Sequence, residues 1–428
     1  MTRTPGRWRV ALAGMVSLAV AMGLGRFAFT PLLPMMLHDQ VIDLNRASWL
    51  ASANYLGYLV GALLCTFQPL IWRSAQRIER FNSLPLFDGV TWLRAGLVAT
   101  CLLTLGMAVP LPALWPGLRF AAGVASAFVF VQTSGWCLAQ LARLQVPAMG
   151  GLIYTGPGLG IMLSGVSASG MVALGWTAAT GWLIFGVLAV VLSAGVWPIY
   201  RSAKAVAGTV SAVAPGPATA HAAAKTPPAS GAGVGGSLEV TLLAVAYGLA
   251  GFGYIVTATF LPVIARAALP GSAGLDLFWP LLGFGVVAGA LIATRIPATS
   301  DLRLMLAVCY GVQALGVATP LWWSTPSGFA LGSLLLGLPF TAITFFAMQE
   351  ARRLRPHAAP STMGLLTVMY GIGQIVGPPL VTQLIQRRST ALGFTLSLEI
   401  AASVLLAGAL VFLAMTRAYP SRSHRIPL

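Results

Sequence analysis

Arg26 carries the most demanding chemistry in this sequence. It lies inside an unbroken apolar stretch, at residues 10–37, where a guanidinium in hydrocarbon costs roughly 2.5–3.5 kcal/mol on insertion scales and more than 10 in simulations. A residue that costly must face a polar cavity or a permanent partner. Its environment favours the cavity. Gly23 and Gly25 precede it closely, and Pro31 and Pro34 follow one to two turns later. Together they loosen the helix and turn backbone carbonyls toward an interior space. The plain alternative is an arginine locked to an acidic residue elsewhere in the bundle.

Two more buried charges belong with it. Arg119 opens the run Arg119-Phe-Ala-Ala-Gly123 in a later apolar stretch, where reaching out to the interface competes with a role in a site. Glu399 is the one acid read as deep, the other eight falling in loops or at helix ends. It could pair with an arginine, or exchange a proton if buried. Two guanidiniums against one carboxylate leave an interior that is positive, suited to an anion or a carboxylate-bearing molecule. Polar and aromatic neighbours that could line the same path are Asn54, Tyr55, Tyr58, Gln132, Tyr154, Tyr247, Tyr254, Thr257, Tyr370 and Gln374. Taken singly, each is more often a satisfied core group than a ligand contact.

Catalysis finds little to work with. His38, His221, His357 and His424 all fall in loops, linker or tail, and Cys65, Cys101, Cys137 and Cys309 are scattered without metal or redox spacing. No metal site and no cofactor are expected, and the chain is not read as an enzyme.

The elements that must position these residues are membrane spans. Of 428 residues, 57% are hydrophobic and 8% charged, against roughly a quarter charged in soluble domains. Twelve apolar runs reach the length that crosses a bilayer as helix: 10–37, 47–70, 89–109, 112–141, 149–171, 175–199, 240–266, 274–294, 303–323, 326–349, 361–385 and 391–416. The net charge of +16 could suggest a nucleic-acid partner, but its distribution does not. With a cytoplasmic N-terminus, Arg46, Arg266, Arg387 and Arg388 are the only loop cations outside, which is the positive-inside bias and puts both termini in the cytoplasm. Most tryptophans fall near span ends, as interfacial anchors do. Residues 200–238, rich in Ala, Gly, Pro, Ser and Thr, read as a flexible cytoplasmic linker between an N-terminal bundle (1–199) and a C-terminal bundle with a short tail (239–428). The first apolar run is too long for a signal peptide and is read as a retained span.

The two halves repeat each other. Gly23-Leu-Gly25 followed by Pro34 returns 228 residues later as Gly251-Phe-Gly253 followed by Pro262, and Gly57 and Gly61 return as Gly285 and Gly289. Same-orientation halves of this kind are built around an axis along the membrane normal and are common among secondary transporters. Small-residue pairs such as Gly57/Gly61 let helix backbones approach closely. Gly156-Pro157 in the fifth span and Gly377-Pro378 in the eleventh suggest kinks at matching places, usable as hinges or merely inert.

On these residues the chain resembles the major facilitator superfamily and, within it, the YbfB/YjiJ group of bacterial transporters. The likeness rests on the segments 23–34, 53–62 and 247–262. It implies an all-α integral membrane protein of twelve transmembrane helices in two six-helix bundles, working by alternating access in the bacterial inner membrane. Arg119 with Gly123 matches the superfamily's fourth-span pattern tied to proton coupling, and Gly156-Pro157 with Gly160 partly matches a fifth-span pattern of antiporters. The loop after the second span departs from the usual Gly-x-x-x-Asp-Arg-x-Gly and offers Arg73, Arg77 and Arg80. The expected partners are a small-molecule substrate, a coupling proton and membrane lipid, with no nucleic acid, in a monomer. A drug/proton antiporter and a non-transporting sensor or scaffold of the same fold are the alternatives.

Overall fold

The computed structural model describes residues 6–75, 89–201, 236–272, 274–297 and 300–419. Most of the linker expected at 200–238 therefore lies outside the described residues, as do Arg77 and Arg80. The twelve spans are α1 (Arg7–His38), α2 (Leu44–Gln68), α3 (Gly89–Gly106), α4 (Trp115–Arg143), α5 (Gly150–Ala173), α6 (Ala178–Tyr200), α7 (Ser237–Ala268), α8 (Leu275–Ala293), α9 (Leu302–Trp322), α10 (Pro326–Leu354), α11 (Ser361–Arg387) and α12 (Thr390–Ala418). Each coincides with an apolar run to within a few residues, because in lipid the backbone must satisfy itself and a continuous run can do so only as helix.

The spans form two six-helix bundles with matching neighbours. In the first, α1 packs on α5 and α6, and α4 on α2 and α3; in the second, α7 packs on α11 and α12, and α10 on α8 and α9. The bundles meet along α2 with α11, α5 with α8, and α1 with α7. One contact locates the axis between them. Thr30 Oγ1 donates to the carbonyl of Ala258 at 2.8 Å, and 258 lies 228 beyond 30, so the two positions are repeat equivalents. Equivalent residues can touch only at the axis that relates them.

Glycine explains the tightness inside each bundle. A Cβ on Gly57 would sit 1.9 Å from the carbonyl oxygen of Phe120, and one on Gly289 would sit 1.7 Å from that of Leu338. Neither backbone can yield, so α2–α4 and α8–α10 approach each other at distances open to glycine alone.

The two spans expected to bend, α5 and α11, differ in how their helices run. Helix α5 is interrupted at Tyr154–Thr155 and restarts at Gly156-Pro157. Helix α11 runs unbroken through Pro378 and Pro379. The second half has an interruption in α10, between Gly337 and Phe340 at Pro339.

Candidate functional site

Between its two α-helical ends, α1 is π-helical over Ala19–Phe27, the segment holding Gly23, Gly25 and Arg26. A wider turn shifts the hydrogen-bond register and leaves carbonyls available. Arg119 collects two of them: Nη1 donates to the carbonyl of Gly25 at 3.2 Å and Nη2 to that of Arg26 at 2.9 Å. Asn54 Nδ2 holds the carbonyl of Arg119 in turn, at 2.9 Å. The loosened helix read from the sequence is therefore present, but its freed carbonyls are taken up by a guanidinium. Arg119, 2% exposed, does not reach for the interface.

Arg26 is 3% exposed and lies between the bundles. Its Nη2 donates to Gln374 Oε1 on α11 at 3.0 Å, and Gln374 Nε2 donates to the hydroxyl of Tyr254 on α7. The guanidinium carbon lies 3.9 Å from the ring centre of Tyr58 and 5.3 Å from that of Tyr55. Desolvated cation–π contacts are worth about 2 kcal/mol, which offsets much of the insertion cost without any acid. Among the described residues no carboxylate is ion-paired with Arg26 or Arg119. The Arg26 Nε has no acceptor.

The second bundle contributes rings. Tyr254 stacks on Tyr370 (5.8 Å between centres, 21° between planes) and Tyr370 on Tyr247 (4.7 Å, 27°). Phe340, just after the α10 break, stands edge-on to Tyr254 at 5.0 Å and to Phe27 at 6.1 Å. Hydroxyls inside this set are engaged: Tyr55 with Thr259 at 2.8 Å, Tyr247 donating to Thr344 at 3.1 Å. Thr257 is buried on the face of α7 that carries Tyr254, and its Oγ1 has no partner.

Three sequence candidates stand apart. Glu399 is exposed on the outer face of α12, so it neither pairs with an arginine nor has the burial that a proton-exchanging role would need; this corrects the expectation of a deep acid there. Gln132 lies against Gly89 at the start of α3, and the ring of Tyr154 packs beside Phe130 at 6.2 Å; neither reaches Arg26. The deeply buried acid is Glu350, read from the sequence as a helix-end residue. It accepts from Arg303 Nε at 2.6 Å and Arg353 Nη2 at 2.7 Å, while Arg303 Nη2 also reaches Glu239 at 2.5 Å. The only sequence hint was the Glu350/Arg353 spacing of three. Phe27 and Phe340 were missed as well, because an aromatic residue in an apolar span gives no signal of its own. Among the described residues, no group of three or more His, Cys, Asp or Glu could hold a metal ion.

A polytopic helical protein with two repeat-related bundles and a cationic centre on their shared axis belongs among the major facilitator transporters. Residues 18–413 match the family described as "Uncharacterised MFS-type transporter YbfB". The chain belongs to that family: it is a multi-pass membrane transporter and not an enzyme. A crystal structure of a mutant of the nucleoside transporter NupG is similar over 95% of this chain and 99% of that one, with TM-score 0.64 and 13% identity. At that identity the likeness concerns the fold. Among curated proteins no relative is found by sequence.

Proposed function

We propose that the protein carries a small organic anion, with Arg26 as the anchor for its negative charge. One observation supports this most: a guanidinium buried on the interface between bundles with neutral partners only. An anion arriving there supplies the missing counter-charge, and a guanidinium can bind a carboxylate through two hydrogen bonds. The same centre disfavours the cationic compounds of a drug/proton antiporter.

Alternating access then amounts to rocking one bundle against the other about the Thr30–Ala258 crossing. The side on which α1 begins and α12 ends is taken as cytoplasmic, since Arg7, Arg9, Arg143, Arg295, Arg352, Arg353, Arg355 and Arg417 all lie at span ends on that side; a bacterial inner membrane is the corresponding setting. Coupling to protons rests on the match of Arg119 and Gly123 to the fourth-span pattern. Its carboxylate candidate, Glu399, is not available to it.

The test is uptake of labelled, membrane-impermeant organic anions into proteoliposomes, with and without an imposed pH gradient. Arg26→Ala should lower uptake roughly 10–100-fold, the worth of one or two charge-assisted hydrogen bonds, while the melting temperature stays near that of the parent. Undiminished uptake by a folded Arg26→Ala protein would remove the anchor. Equal rates with and without the gradient would remove the proton.

A further inference from the structure

We infer that the anion is a planar aromatic carboxylate, a conclusion that rests on the anion reading and narrows it. Around Arg26 the charge is held by π-faces. Tyr58 lies under the guanidinium, Tyr55 beside it, and the side-chain groups it meets, the Gln374 amide and the Tyr58 hydroxyl, are neutral. An arriving carboxylate replaces that amide oxygen and gains the unused Nε. What lies next to the carboxylate is then fixed by the second bundle, and it is flat and apolar. Tyr254, Tyr370 and Tyr247 form a run of near-parallel rings, with Phe340 closing one edge.

The polar inventory of that surface decides between classes of anion. A sugar acid or a hydroxy acid brings hydroxyl groups that must each find a partner once desolvated. Here the hydroxyls of Tyr55 and Tyr247 are engaged with Thr259 and Thr344 and that of Tyr254 accepts from Gln374, while Thr257 Oγ1 is left without a partner, one hydroxyl against the several that a sugar acid brings. An aromatic body needs none of them and stacks on the faces that remain. The set is also reachable: Tyr58, Tyr370 and Phe340 are half-buried, whereas Arg26, Tyr254 and Tyr247 behind them are buried. The buried guanidinium thus has half-buried ring faces near it, an arrangement suited to a molecule with a carboxylate at one end and a ring at the other.

The experiment is calorimetric binding to the purified full chain, using benzoate, cyclohexanecarboxylate, acetate and benzamide as probes. Benzoate and cyclohexanecarboxylate share charge and approximate size and differ in the flat π-system. Benzoate should bind about tenfold more tightly than cyclohexanecarboxylate, the worth of one or two ring contacts. In Tyr370→Leu that ratio should fall toward one, and Tyr370→Phe, which keeps the ring, should restore it. Benzamide, without charge, should bind at least tenfold more weakly than benzoate. Equal affinities for the aromatic and alicyclic acids, both lost in Arg26→Ala, would overturn the aromatic inference and leave the anion reading intact. Benzamide binding as well as benzoate, or benzoate binding insensitive to Arg26→Ala, would overturn the anion reading itself. No binding of any probe by a protein that melts cooperatively would overturn both.

Discussion

The first spans of the two halves carry the same glycine–proline motif and fold it differently. In α1 the stretch Ala19–Phe27 is π-helical; in α7 the matching stretch lies in one continuous helix from Ser237 to Ala268, with Pro262 inside it. The packing role of the motif is common to both. A Cβ on Gly23 would meet Gly160 of α5, and one on Gly251 would meet the carbonyl of Tyr370 of α11, each at 2.3 Å. What differs is the neighbour across the bundle. Glycine contacts put α4 and α10 in register: Gly57 faces Phe120 as Gly285 faces Leu334, and Gly123 faces Asn54 as Gly337 faces Leu282. In that register the counterpart of Arg119 is Ser333. Its hydroxyl donates to Phe329 in its own helix at 2.7 Å and cannot reach α7. The motif gives a helix room to loosen; a long donor on the neighbouring helix determines whether it does.

The comparison breaks most visibly at Arg119. Arg119→Ala leaves the carbonyls of Gly25 and Arg26 unpartnered in a site closed to water, at about 1–3 kcal/mol each. The melting temperature should fall, and hydrogen exchange should rise over residues 19–29 while 247–257 stays as before. Arg119→Lys, a point donor without the fork, should recover only part of the loss. Unchanged exchange in α1 would mean that the π-helical turn is intrinsic to its glycines, and the proposed cause of the difference would be wrong.

A second contrast lies at the ends of the spans, on the side where α1 begins. The second half holds a buried pair, Arg303 and Glu350, flanked by the partly buried Glu239 and the exposed Arg353. The first half has Arg94 resting on the indole of Trp197 at 4.4 Å, a cation met by a ring. Glu350→Gln removes the charge that two guanidiniums share. Breaking a buried pair from one side costs roughly 3–5 kcal/mol, lowered here because Glu239 still serves Arg303. Arg94→Gln should cost under 1 kcal/mol, the worth of a partly exposed cation–π contact. Thermal unfolding of the two variants in detergent measures the asymmetry, and equal losses would refute it.

Much of this was legible from residue types. Span positions followed from length and hydrophobicity, and the 228-residue repeat implied an axis between the halves, which the Thr30–Ala258 contact then located. Arg26 was recognisable since a guanidinium in an apolar run has few permissible environments. The limits have physical causes too. Burial of Arg119 depends on which face of α4 it occupies, and a span that is apolar all round does not encode that. The same ambiguity made Glu399 look deep and Glu350 look peripheral: depth along a helix can be counted from its end, whereas direction around it cannot. The aromatic set around Arg26 is assembled from five helices, and no single stretch of sequence contains it.

The glycine register itself can be sharpened by a matched pair. A methyl on Gly123 would lie 2.1 Å from the carbonyl oxygen of Asn54, and one on Gly337 would lie 2.2 Å from that of Leu282. Because both obstacles are backbone, Gly123→Ala and Gly337→Ala should each cost about 1–3 kcal/mol of overpacking and lower the melting temperature by similar amounts. If one variant were tolerated and the other not, α4 and α10 would not be in register, and Ser333 would lose its standing as the counterpart of Arg119.

The smallest expected effect falls on Glu399, which marks the edge of the comparison. It is the one acid in the last span, yet it is exposed on the outer face of α12, and among the described residues no hydrogen bond or ion pair reaches it. Glutamine keeps its shape and hydrogen-bonding reach while removing its charge. Because nothing inside the bundle answers to that charge, Glu399→Gln should change stability by no more than about 0.5 kcal/mol and leave anion uptake as it was, with or without a pH gradient. A variant whose uptake loses its response to the gradient would assign a coupling role to the outer face of α12. The contrast between halves would then have to include a carboxylate that only the second half possesses, and the centre at Arg26 would account for substrate binding alone.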